Sequence, residues 1–105
     1  MLGRNVILMD SSISIGEFDP DKDGAYDNVK TFPLNAKRGK LSISVHSDNP
    51  VDVAVSDSGG TCMKFKRSVV DDTIVLELRK KETLALVIGI FRGDKAKLRL
   101  KAWME

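Results

Sequence analysis

The 105 residues are enough for one domain with a real core and too few for two. The hydrophobic fraction of 42% and charged fraction of 30% are those of a globular protein, and a net charge of +2 is too small to argue for a partner. The single cysteine, Cys62, excludes an internal disulfide and a cysteine-based zinc site, and no stretch approaches the ~20 apolar residues of a membrane span. These features predict a cytoplasmic protein if the chain is complete, and an extracellular one if it is a fragment of a secreted protein. The charge is uneven: residues 1–57 carry six Lys/Arg against nine Asp/Glu, residues 58–105 eleven against six.

In chain order, Asn5–Met9 and Ser12–Ile15 are short candidate strands, the first at an edge. Glu17–Asn28 is a polar, acidic loop. Val29–Leu34 contains Pro33, which cannot donate to a ladder, so it belongs at an edge or ends there. Asn35–Lys40 is a basic turn. Leu41–His46 alternates, with Leu41, Ile43 and Val45 opposed to Ser42, Ser44 and His46. Ser47-Asp48-Asn49-Pro50 is predicted as a turn. Val51–Ser56 alternates again, and Asp57-Ser58-Gly59-Gly60 reverses the chain. Cys62–Lys66 is expected to place Met63 and Phe65 inward.

Thr73–Lys80, Thr83–Phe91 and Lys95–Trp103 read as three consecutive strands of a β-meander. A period of two marks a half-buried strand, and the middle run, apolar on both faces, is expected to be central. Arg92-Gly93-Asp94 is its second turn. No window keeps apolar residues at helical spacing with cap signals. The expectation is an all-β domain with no substantial helix: an antiparallel, jelly-roll-like β-sandwich of eight or nine strands, with a closed barrel as the rival.

The sharpest local pattern is Asp19-x-Asp21-x-Asp23-Gly24. Calcium takes six to eight oxygens, and this spacing gathers three carboxylates at one point. Ala25 would add its carbonyl, Asp27 would stand where a ligand often acts through water, and Glu17 or Asp10 could complete the shell. Lys30 occupies the place of the bidentate Glu of an EF-hand, so the loop is not one. The alternative is a solvated acidic turn without calcium. The second pattern is the row Lys95, Lys97, Arg99, Lys101 and Trp103 on one side of the last strand. Such a face could track a nucleic-acid backbone, and it is also what an ordinary solvated strand presents. Arg92-Gly93-Asp94 spells the adhesion tripeptide but also makes a good turn. His46 and Cys62 are the only histidine–cysteine pair, and nothing beside Cys62 marks an activated thiol.

From Phe32 to Trp103 the succession Phe32-Pro33-Leu34, Gly39–Val45, Asn49–Val55, Leu84–Gly89 and Lys97–Lys101 resembles bacterial and archaeal pre-peptidase C-terminal domains and, more distantly, GOLD domains. It departs at Leu84 and Leu86, where an aromatic pair is usual. The resemblance implies a small antiparallel sandwich serving as a non-enzymatic accessory or binding module. Some such domains hold calcium at acidic loops. The expected partner is a protein or carbohydrate ligand, with nucleic acid as the alternative and no membrane.

Overall fold

A computed structural model describes residues 5–17 and 28–105. Six antiparallel strands form one continuous hydrogen-bonded sheet: β1 (Val6–Ile15), β2 (Val29–Ala36), β3 (Gly39–Ser56), β4 (Cys62–Leu78), β5 (Glu82–Gly89) and β6 (Ala96–Met104). No helix is present among the described residues. The neighbours run β1-β6-β3-β5-β2, and β4 lies along the other edge of β3.

β3 organises the sheet. Its first half pairs with β6 and its second half with β5, while β4 follows it along most of its length. Eighteen residues of straight strand would reach about 60 Å, and the molecule's longest dimension is 49 Å, so β3 must bend. The bend is at Ser47–Pro50. The buried Ser47 hydroxyl donates to the Asn49 carbonyl at 2.6 Å, a local bond that replaces a ladder rung. Asn49 Nδ2 donates to the Lys95 carbonyl at 3.0 Å, and Asp48 Oδ1 accepts the Lys97 N–H at 2.8 Å. The tetrapeptide predicted as a turn is therefore a corner inside one strand, held by the segment that opens β6.

The same merging explains the strand count. Asn5–Met9 joins Ser12–Ile15, Leu41–His46 joins Val51–Ser56, and Cys62–Lys66 joins Thr73–Lys80, which ends at Leu78, so nine candidates become six strands among the described residues. The meander is absent. β4 pairs with β3, β5 with β2 and β3, and β6 with β1 and β3, so the three consecutive strands never touch as ladder partners. The turn at Gly93 exists, with the Asp94 N–H donating to the Phe91 carbonyl at 3.0 Å, but it joins strands that both lean on β3. β5 is interior as expected, between β3 and β2, and β2 with Pro33 stands at the end of the order.

Alternation decides what is inside. Leu41, Ile43, Val45, Val51, Val53 and Val55 of β3 are buried, as are Leu84, Leu86 and Ile88 of β5 and Ala96, Leu98, Leu100, Ala102 and Met104 of β6. Both halves of the bent sheet bury their odd or even row in one cluster with Ile15, Leu34 and Ile74. The sheet thus curls on itself until β1 and β2, at opposite ends of the order, come into contact, giving a nearly barrel-shaped body.

One row breaks the alternation. Phe65 is 53% exposed, and Met63 is only partly buried. Ser68, at φ 55°, sits where Val51↔Val69 gives way to Val53↔Lys66, an extra residue on β4. A bulge of one residue exchanges the two faces of the strand beyond it. Phe65 therefore stands opposite Ala54 on the outside instead of pointing inward.

Candidate functional site: two outer faces

Because the sheet is bent, its outer surface has two distinct parts. The first covers β1, β6, the first half of β3 and the second half of β4. Register sets its rows: Ser12–Arg99–His46–Asp71, then Asp10–Lys101–Ser44–Thr73, then Ile7–Trp103–Ser42–Val75. The expected alignment of Lys97, Arg99, Lys101 and Trp103 is present, with Lys95 just before the strand. Two of the four cations are paired with carboxylates, however. Arg99 Nε and Nη2 both donate to Asp10 Oδ1 at 3.3 Å, and Lys95 Nζ lies 3.8 Å from Glu17. Lys101 Nζ sits 5.7 Å from the centre of the Trp103 ring, and His46 Nδ1 lies 3.7 Å from Asp71 Oδ1. Asp10, Asp48 and Asp71 thus interleave with the basic row.

The second part covers β2, β5, the second half of β3 and the first half of β4. Its rows are Val29–Gly89–Asp52, Thr31–Val87–Ala54–Phe65 and Pro33–Ala85–Ser56. Small and apolar residues dominate it. At its corner end the surface deepens into a groove of about 490 Å³ lined by Asp52, Phe65, Arg67, Gly89, Phe91 and Asp94, among others. Phe91 is 81% exposed and Val29 59%. The Arg67 guanidinium lies 5.9 Å from the centre of the Phe65 ring, and Asp52 Oδ1 accepts the Ser68 N–H at 3.1 Å, which fixes the bulge that turns Phe65 outward.

No family model and no curated protein matches the sequence. The structure, however, is similar to a solved one. It superposes on the crystal structure of PliG from Aeromonas hydrophila, a periplasmic lysozyme inhibitor of g-type lysozyme, with a TM-score of 0.61. The identity is 13%, over 92% of this chain and 85% of that one. At that identity the likeness is one of fold.

Other sequence-level candidates fall out differently. Asp19, Asp21, Asp23, Ala25 and Asp27 lie outside the described residues. Glu17 and Asp10, considered as further ligands, face Lys95 and Arg99. Asn28, next to that loop, has a buried Oδ1 with no hydrogen-bond partner among the described residues. His46 and Cys62 do not meet. Their rungs, His46↔Asp71 and Ser56↔Cys62, are ten residues apart along β3, about 30 Å of strand, and the Cys62 thiol donates to the Lys64 carbonyl at 3.4 Å.

The groove was not foreseen. Its aromatic lining depends on the bulge at Ser68 and on β3 lying between β4 and β5. A run of Lys64, Lys66, Arg67 and Ser68 with only Phe65 apolar is the one sequence signal that the inward pattern fails there.

Proposed function

We propose that this chain is a non-enzymatic binding module for a protein partner, built on a sandwich-like curled sheet, and that the Phe65–Phe91 groove is its contact surface. The observation that carries this is the exposed pair Phe65 and Phe91 lining a groove with Arg67, with exposed Val29 paired to Gly89 of the same lining. Exposed aromatics beside an arginine have the composition of interface anchors, and a monomer gains nothing by leaving them in water. The fold likeness to a periplasmic lysozyme inhibitor supports a protein as the ligand. It makes a g-type lysozyme the first partner to test, and favours a location outside the cytoplasm over the cytoplasmic expectation. Purified protein is titrated into g-type lysozyme, with complex formation and residual lytic activity followed together. A complex that Phe65→Ala with Phe91→Ala weakens by about thirty-fold, the effect of losing a central anchor, is expected. Absence of a complex at 100-fold excess would remove lysozyme as the partner.

Calcium at Asp19, Asp21, Asp23, Ala25 and Asp27 is a second reading. The buried Asn28 Oδ1 beside that loop, without a hydrogen-bond partner among the described residues, favours it, since an amide oxygen is a calcium ligand. Titration of metal-free protein is expected to raise the denaturation midpoint with calcium concentration. An unchanged midpoint at 10 mM calcium sinks it.

A further inference from the structure

Positive charge is also concentrated away from β6, in the two shortest connections of the sheet. The β2–β3 connection is Lys37-Arg38 and the β4–β5 connection is Arg79-Lys80-Lys81. Register ties the two together at both ends: Ala36 is the partner of Glu82 and Gly39 the partner of Leu78. Partners in an antiparallel ladder stand about 5 Å apart. The two connections therefore run side by side across the same end of the barrel, anchored to each other where they leave and re-enter the sheet.

All five residues are exposed, and none of the five is in an ion pair among the described residues. The carboxylates nearby are spoken for or outnumbered. Glu82 accepts from the Ser58 N–H and hydroxyl, Glu105 lies 3.9 Å from Lys40 Nζ, and Glu77 stands opposite Lys40 in the ladder. With Lys40 counted, six cations stand at this end against Glu77, Glu82, Glu105 and, beside Ser58, Asp57, which accepts the Gly59 and Thr61 N–H groups. On the β6 face, by contrast, Asp10, Asp48 and Asp71 interleave with the row.

Five like charges held in two adjoined turns repel one another, and an anionic ligand offsets that repulsion. Two parallel rows match consecutive anionic groups on one chain better than a single ion. Arg38 and Arg79 bring planar forks that suit phosphate oxygens. No aromatic ring stands in either connection, so nothing there stacks a base. We infer that the paired turns Lys37-Arg38 and Arg79-Lys80-Lys81 form a binding site for a phosphodiester polymer, read by charge density alone. The site is separate from the Phe65–Phe91 groove, so it stands or falls independently of the protein-partner reading.

The test is fluorescence anisotropy with a 20-nucleotide single strand and with a poly(glycerol phosphate) of similar length, at 50–200 mM NaCl. About four phosphate contacts on a flexible strand predict a log–log salt slope of about −3, or roughly a fifty-fold loss of affinity over that range. Arg38→Gln with Lys80→Gln and Lys81→Gln is expected to bring the slope near −1 on both polymers, and Lys97→Gln with Lys101→Gln to leave it unchanged. The single variants Lys80→Gln and Lys81→Gln, each lowering the slope by about 0.7, give the same answer if the triple variant does not fold. The proposal is overturned by no binding at 50 mM salt, by loss confined to the β6 variant, by binding restricted to the oligonucleotide, or by equal affinity for polyglutamate.

Discussion

Gly16→Ala probes the joint that fixes β1 to the segment entering β6. Gly16 is buried at the end of β1, with φ +84°, a left-handed conformation that costs a side-chain-bearing residue about 1–2 kcal/mol. A Cβ placed there would lie 2.0 Å from the Asp94 carbonyl oxygen and 3.1 Å from Lys95 Cα. Backbone on both sides cannot rotate away as a side chain would, so the two segments must part by about 1 Å. Overpacking of that kind adds about 1–3 kcal/mol. The total is roughly 2–5 kcal/mol. Gly93 supplies the control: its φ is +96°, yet nothing lies within 4 Å of the Cβ it would carry. Gly93→Ala therefore bears the conformational cost of about 1–2 kcal/mol and no more. Urea denaturation of the three proteins, with slopes of about 1–3 kcal/mol/M, separates them readily. Equal losses in the two variants would show that the close approach of Gly16 to Asp94 does not exist, and with it the placement of Glu17 beside Lys95.

Ile43→Ala removes a fully buried side chain from the first half of β3 and is expected to cost about 2–5 kcal/mol, read as a lower urea midpoint at unchanged slope. Phe65→Ala and Phe91→Ala, by contrast, are expected to change stability by less than about 1 kcal/mol while weakening the partner complex, because neither ring is in the core. The Asp72 carboxyl is held below its ordinary value of 3.8 by the Lys66 ammonium, 2.6 Å away, and by the Thr73 N–H. Its contribution is whole above that ordinary value and fades as the pH falls through the lowered one. Wild type is thus expected to exceed Asp72→Asn in stability at neutral pH, with the gap closing in strong acid. A gap that persists there would count against the tie.

Period two carried most of the fold. Leu41, Ile43 and Val45 were legible as an inward row because each is flanked by serine or histidine, and Leu98 and Leu100 because each is flanked by cations. Burial follows those rows in the structure. What alternation cannot convey is which strand lies beside which. The meander of the last three segments was the economical reading of short turns, yet Asp48 and Asn49 capture the start of β6 from fifty residues upstream and draw it to β3. Likewise Ser47–Pro50 has turn composition, but its side chains spend their bonds on holding a corner. The β6 row was visible as a candidate face since one strand supplies all of it. The groove and the paired turns were not, because each is assembled from segments that only the register brings together.

The pairing of β1 with β6 has a consequence for synthesis. Among the described residues β1 has no other ladder partner, and the first half of β3 needs β6 along one edge. A nascent chain can zip β3 to β4 and then to β5 as they emerge, but its first ten-residue strand must wait, unpaired and half apolar, until residues 96–104 clear the ribosome. Closure is thus a late event between the two most distant parts of the sequence, and it is in that interval that Val6, Ile7 and Leu8 are open to the wrong neighbour.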